Sequence, residues 1–506
     1  MIMKQHILSR ICVCCILMLS MLTACQRESA RQTATVNRMP TIMPDYTGTV
    51  LPPNIAPINF RILESGNRFF VRIKGAQGEP ILIRSRQPEI RIPEKPWHAL
   101  LEANRGGSID ISVFVKNDSL WYRYAAISND IAEEEIDSYL SYRLIEPSYV
   151  NYSILGIYQR CLENFKETPI YTTARQDNLR NRHCINCHTF QNHSTDEMFF
   201  HVRGGLGGTI FVHDGQIEKV NTKTDSTLSV CVYPSYHPFL PKIAFSTNET
   251  RQTFHSRDIQ KVEVVDFASD LVMYDIEKHE IRPILCHTSQ FETFPTWAPD
   301  GRSLYFCCAQ SVLPDTISEK DDYLAFHYQD IYYDLLRIAY DPDTDTFGAV
   351  DTILNMSSRE SSISFPRVSP DGKYILLCIS DCGNFSIWHK QSDLYLLRLE
   401  DGQLQTLWEV NSPETESFHT WSSNGRWFVF STRREDGNYT RPYFSYFDRS
   451  GQAHKPFALP QKNTGHTVGR FKSYNLPELM TNPVGISPRT FDGVITGPAM
   501  PANYRP

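Results

Sequence analysis

Five consecutive residues, Cys184-Ile185-Asn186-Cys187-His188, bring together side chains suited to a covalent cofactor. Two thiols three positions apart can reach the two vinyl groups on one edge of a porphyrin. A His directly after the second Cys then lies beneath the ring as an axial ligand of the iron. The motif is expected to attach haem c through Cys184 and Cys187, with His188 on the metal. His193, Met198 and His201 follow as candidates for the second axial position, with His213 further on. A Met there would raise the reduction potential, a second His would lower it, and an open position would admit a small molecule. Arg203, two residues after His201, is placed to pair with a haem propionate.

Three other chemistries fit the same residues. Cys184 and Cys187 could form a structural disulfide. Zinc could take both thiols and two of His183, His188, His193 and His201, although the adjacent Cys187-His188 pair serves a tetrahedron poorly. A thioredoxin-like dithiol would need a βαβ pattern that does not surround the motif. The Gly204 to Gly208 run leads into the strand-like Thr209-Ile210-Phe211-Val212 and reads as a turn, not a phosphate loop. No G-x-S-x-G or H-E-x-x-H occurs, and the acidic residues isolate no carboxylate pair. The segment resembles the attachment site of single-haem cytochromes c, but only locally, since no Met-bearing second half of that fold follows.

Covalent haem is attached outside the cytoplasm, and the N-terminus reads as an export signal. Lys4 and Arg10 precede an apolar run from Ile11 to Leu22, too short to span a bilayer comfortably. Leu22-Thr23-Ala24-Cys25 resembles the lipobox of bacterial lipoproteins, which implies removal of residues 1–24 and acylation of Cys25. The expected location is the bacterial cell envelope, with the chain held on a membrane surface by lipid, periplasmic or surface-exposed. Nine Cys remain beyond Cys25, and most of those outside the motif sit in apolar runs, as small buried hydrophobes do.

With 506 residues, 41% hydrophobic and 21% charged, the chain has the composition of a globular protein of two or three domains. Its net charge of −7 becomes more negative without the first 24 residues, which argues against a nucleic-acid partner. The mean hydropathy of −0.36 excludes a multi-span membrane protein.

The elements that must position the motif are mainly β. After a tether at 25–50, residues 51–128 alternate apolar and polar positions and are expected to form a small β-sandwich. Within it, Ile109 to Val113 and Leu120 to Tyr124 make a hairpin. Asp130 with Glu133, then Ile136, Leu140 and Leu144 at helical spacing, predict a helix ended by Pro147, so 129–204 reads as a helical connector carrying the motif. From 205 to 460 four stretches repeat. Tyr236-His237-Pro238, Trp297 to Arg302, Val368 to Lys373 and Trp421 to Arg426 each enter an apolar strand through a tight turn. Each is followed by a second strand, at Asp270, Asp334, Asp393 and Pro442. Short strands and turns at a period of roughly 50–70 residues predict β-propeller blades. Residues 461–506 form a Pro- and Gly-containing extension.

Pro299-Asp300-Gly301 and Pro370-Asp371-Gly372 match the hairpin of TolB-like, WD40-like (PD40) propellers, and the region resembles that family over about half the chain. His237-Pro238 and Asn424-Gly425 depart from the pattern. The resemblance implies a scaffold that docks envelope protein or glycan partners. A β-domain, a C-x-x-C-H connector and a propeller together loosely resemble the haem-bearing propeller subunits of envelope redox systems, such as that of hydrazine synthase. The expected function is a cell-envelope lipoprotein with haem c on a propeller, serving electron transfer or redox-linked small-molecule binding with a redox or envelope partner. The alternative is a non-enzymatic binding propeller in which Cys184–Cys187 is a disulfide. A hydrolase on the propeller face is a third option.

Overall fold

A computed structural model describes residues 33–145, 155–176, 183–254, 262–312, 314, 317, 320–465, 469 and 471–506. The export segment, Cys25 and Pro147 lie outside them. The chain is mainly β and divides into two compact units.

Among the described residues, the smaller unit comprises 33–48, 57–130 and 462–464. Its larger sheet runs through Thr33–Val36, Leu120–Tyr124, Ser108–Asn117 and Ile127–Ile131, with Arg68–Gly75 and Ile81–Ser85 beside Ser108–Asn117. The expected hairpin forms, turning at Asp118 and Ser119 between paired Asn117 and Leu120. A second sheet joins Ile42–Met43, Phe60–Ile62 and Glu89–Ile90. A helix over Glu94–Ala103, not anticipated from the sequence, buries Trp97, Leu100 and Leu101. Those three positions follow the i, i+3, i+4 spacing of a helical stripe.

The larger unit contains five sheets, of four, five, nine, four and four strands. The nine-stranded one holds two four-stranded antiparallel groups joined by a parallel bridge from Ser269 to Phe291, so six four-stranded antiparallel groups recur, each counted as one sheet of the repeat. Five follow the chain in order. Their first strands are Cys184–Phe190, Cys231–Tyr236, Gln290–Trp297, Ser362–Val368 and Glu416–Trp421. The sixth sheet is assembled from both ends of the unit. Tyr139–Ile145, Gly156–Cys161 and Glu167–Thr172 come from the start, and Ser473–Met480 comes from the end and pairs antiparallel with Tyr139–Ile145. Each first strand contacts the first strand of the next sheet, and Ser473–Met480 contacts both Cys184–Phe190 and Glu416–Trp421, which closes the cycle.

The helical connector is a misreading that the structure corrects. The described residues of 129–204 are strands with two short 3-10 turns, and they supply the first two sheets. Leu140 and Leu144 are both buried in the strand Tyr139–Ile145. A spacing of four places residues on one face of a helix, but four is even, so it also places them on one face of a strand. The cycle of sheets therefore spans Tyr139 to Met480, wider than the predicted 205–460. Beyond Met480, the helix Pro488–Ile495 buries Phe491 and Ile495, and Met500–Pro501 and Asn503–Tyr504 add parallel strands to two outer edges.

The predicted turns hold a common geometry. Gly301, Gly372 and Gly425 have φ of +67°, +70° and +65°, and their N–H groups donate to the carbonyls of Ala298, Ser369 and Ser422. A Cβ on Gly372 would lie 3.4 Å from Pro299 and one on Gly425 3.3 Å from Pro370, so each turn rests on the proline of the preceding turn. At Gly301 the neighbour is His237, whose Cε1 would be 2.6 Å from the added carbon. Gly402, with φ of +71°, has nothing within 4 Å. Replacing Gly402 with Ala is expected to cost about 1 kcal/mol for the backbone alone. Gly301→Ala, which adds the clash, is expected to cost at least about 2 kcal/mol. Denaturant unfolding of the two variants measures the difference.

Candidate functional site

The first strands share one irregularity. Near the middle of each, the pairing slips and a non-glycine residue adopts a positive φ. These residues are Cys187 at +54°, Tyr233 at +50°, Phe294 at +52°, Phe365 at +51°, Phe418 at +44° and Leu476 at +51°. In a regular strand successive side chains alternate between faces. A bulge with positive φ breaks the alternation and re-aims a side chain. All six of these residues line one cavity of about 1100 Å³. Tyr233 meets Phe294 at 4.4 Å between ring centroids, Phe294 meets Phe365 at 4.1 Å, and Phe365 meets Phe418 at 4.7 Å. The contacts form an aromatic girdle in which Cys187 is the one thiol.

The bulge explains how Cys184 and Cys187 come to share a wall. Three residues apart in a regular strand, they would face opposite ways; with Cys187 turned, both line the cavity. Both are thiols here, partly exposed. Burial pushes the Cys184 thiol up, while Arg143 and Arg203 pull it down. Of the other seven described cysteines, six are buried thiols and Cys286 is exposed.

His188 also lines the cavity, with Nε2 at 3.0 Å from the Ser141 hydroxyl. Burial, with Arg143 adding, pushes it down to about 3, so it is a neutral imidazole. Its Nδ1 has no partner among the described residues. His193 lines the cavity too, with Nδ1 at 3.0 Å from the Leu479 carbonyl. Met198 and His201 are not among the residues that line the cavity. Met198 is fully buried in an apolar cluster with Phe190, Phe200 and Ile210. His201 is buried against the Thr209 hydroxyl at 3.2 Å, and burial pushes it down to about 3. Both lie on Met198–Arg203, the second strand of its sheet, whose last residue Arg203 does line the cavity. His213 lies one strand further out, 2.7 Å from Glu197, where with Asp214 it forms a cluster of possible metal ligands.

Several cavity residues had no place in the sequence reading. Beside Arg203, which the sequence singled out, the charged groups of the wall are Arg143, Arg367, Arg433 and Glu478, a positive balance inside an acidic chain. Arg433 packs its guanidinium 4.0 Å from the centre of the Trp388 ring. Burial pushes the Glu478 carboxyl up to about 7. His419 occupies in its strand the position of His188, with Nε2 at 2.9 Å from the Leu376 carbonyl, and burial, with Arg367 adding, pushes it down to about 3. A usable signal was in the sequence. Cys187-His188-Thr189, Tyr233-Pro234-Ser235, Phe294-Pro295-Thr296, Phe365-Pro366-Arg367, Phe418-His419-Thr420 and Leu476-Pro477-Glu478 are six copies of one pattern. In it a large or soft residue precedes Pro or His and then a polar side chain.

No family model matches the chain, and no curated protein matches it. Among solved structures, the oligogalacturonate lyase of Vibrio parahaemolyticus is similar at 13% identity and a TM-score of 0.30, over 59% of this chain and 85% of that one. Kuenenia stuttgartiensis hydrazine synthase is similar at 9% identity and a TM-score of 0.30, over 53% of this chain and 64% of that one. Prolyl oligopeptidase B of Galerina marginata is similar at 9% identity and a TM-score of 0.35, over 69% of this chain and 42% of that one. These are distant likenesses.

The neutral, buried histidines make acid stability a test of the packing. His201 and His419 stay uncharged in the fold down to about 3, whereas the unfolded chain protonates them near 6.5. The unfolded state therefore takes up more protons as pH falls below 6.5, and stability falls with it, by about 1.4 kcal/mol per histidine at pH 5.5. Denaturant midpoints between pH 7 and 5 are expected to drop, and the drop is expected to shrink in His201→Asn.

Proposed function

We propose that the six sheets are the blades of a β-propeller, closed by the C-terminal strand Ser473–Met480, and that its central cavity carries a c-type haem. The thioether bonds would form at Cys184 and Cys187, and His188 would be the axial ligand. The observation that carries this reading is the turn at Cys187, which brings two thiols and a neutral imidazole to one wall of a cavity about 1100 Å³ in volume, just above the usual range for cofactor sites. Arg143 and Arg203 flank Cys184 and supply cations for the carboxylates of the ligand. The girdle of Tyr233, Phe294 and Phe365 gives the flat apolar surface that a macrocycle packs against. Bound there, haem would supply one-electron chemistry or a site for a small ligand. The chain's own residues would hold it, exclude water and keep the imidazole unprotonated. Lipid at Cys25 would place the protein on a bacterial envelope membrane beside a redox or envelope partner.

A second reading is favoured by one observation. The turn at Cys187 recurs at Tyr233, Phe294, Phe365, Phe418 and Leu476, so the fold accounts for it without a cofactor. On that reading the protein is a binding propeller whose cavity takes a ligand of its own.

Material from a host competent in cytochrome c maturation separates the two. Haem attachment is expected to give a Soret band that survives denaturation and a mass raised by one haem, both lost in Cys184→Ala with Cys187→Ala. Colourless protein of bare polypeptide mass would leave the binding propeller. The anchor is tested by fractionation: Cys25→Ala is expected to move the protein from the membrane to the soluble fraction, and an unchanged distribution would remove the lipid from the proposal.

A further inference from the structure

Two residues beyond each bulge lies a second ring of side chains: Thr189, Ser235, Thr296, Arg367, Thr420 and Glu478. All six line the cavity. Cys184 lies three residues before its bulge, so along the strand direction this polar ring and Cys184 are on opposite sides of the girdle.

The bonding inside this ring is incomplete. The Arg367 guanidinium makes one hydrogen bond, from Nη1 to the Pro366 carbonyl at 2.9 Å, and no ion pair among the described residues. The side chain is half-buried on the cavity wall, and desolvation lowers its affinity for a proton. Its remaining N–H donors have no partner among the described residues and are open to a ligand in the cavity. Glu478 is within electrostatic range, but its Oε1 is already taken by the Thr189 hydroxyl at 3.0 Å and the Phe190 N–H at 3.1 Å. Thr420 donates to the Pro477 carbonyl at 3.0 Å, and Ser235 accepts from the Trp297 N–H at 3.1 Å, leaving the Ser235 proton to donate. The ring thus offers a planar fork of donors, hydroxyls and a carboxyl that is protonated below about 7.

We propose that this ring is a second ligand site, separate from the thiols, and that it takes a small carboxylate anion on Arg367. The forked geometry of a guanidinium matches the two oxygens of a carboxylate. The hydroxyls of Ser235 and Thr296 and the acid proton of Glu478 line the same cavity as further donors. The inference stands on the ring's own bonding and does not depend on haem.

Binding is pH-dependent because Glu478 changes from donor to anion. It is faced by Arg367 across the ring, by the Tyr236 hydroxyl, by His188 on the adjacent strand and, past Leu479, by His193 with Asp137. Of these, Arg367 keeps its charge and His188 stays neutral, so ionisation of Glu478 weakens the site as pH rises through about 7.

The test is calorimetric titration of the full chain with formate and with acetate at pH 6 and pH 8. Saturable binding is expected, several-fold tighter at pH 6. Arg367→Gln is expected to weaken it at least tenfold. Arg203→Gln, on the thiol side, is expected to change it less than twofold. Glu478→Gln is expected to keep the binding and lose its pH dependence. Absence of saturable binding, equal affinity in Arg367→Gln, or an equal loss in Arg203→Gln would each overturn the proposal. If Arg367→Gln does not fold, equal wild-type affinity at the two pH values overturns it by itself.

Discussion

The positive-φ bulge at the middle of each first strand is the constraint on which the rest of the larger unit depends. A strand presents its two faces to the sheets on either side, and only a break in alternation turns a side chain out of that packing. Holding a non-glycine residue at positive φ costs about 1–3 kcal/mol. Four of the six positions recover part of that cost through ring contacts across the cavity, each worth about 0.5–1.5 kcal/mol beyond area burial. Leu476 can make no ring contact, and Cys187 offers only a small sulfur. The girdle is therefore asymmetric, and its open sector is the one occupied by the thiol.

Two other regularities keep the six bulges in register. The tight turns lean on one another, glycine against the preceding proline, so the hairpins at one end of the sheets are spaced by van der Waals contact. The C-terminal strand supplies the backbone partners that Tyr139–Ile145 would lack, so the first sheet has its full four strands and the cycle of contacts has no gap. Both arrangements use residues far apart in the chain, and neither involves the motif. The motif sits within a frame that five other strands define.

That frame changes how the motif is weighed. Sequence spacing alone presents Cys184, Cys187 and His188 as a unit made for one purpose. In the structure, the conformation at Cys187 belongs to the repeat, His188 stands where four other strands have Pro, and His419 stands at the same position without any neighbouring cysteine. What distinguishes the second sheet is the choice of two sulfurs and an imidazole at positions that elsewhere hold rings and proline. The positive wall, with Arg143 and Arg203 near Cys184 and Arg367 on the far side of the girdle, is the property that the proposed haem site and the proposed anion site have in common.

Local chemistry was legible in the sequence. The hairpin in the smaller unit, the Pro-Asp-Gly turns with their positive-φ glycines, and the second strands at Asp270, Asp334 and Asp393 each depend on a few adjacent residues whose conformational preferences are intrinsic. The connector was misread because a spacing of four satisfies both a helix and a strand, and only pairing with Ser473–Met480, more than three hundred residues away, decides between them. Which of the histidines and methionines meet the thiols was likewise not a local matter. Met198 and His201 are nearer in sequence than Arg367, His419 or Glu478, yet they are packed elsewhere, on a strand of which only Arg203 reaches the wall, while closure of the cycle brings the distant ones in. A sequence alone determines turns and motifs, because their energies are short-ranged. The contents of a cavity built from six strands are decided only when all six are in place.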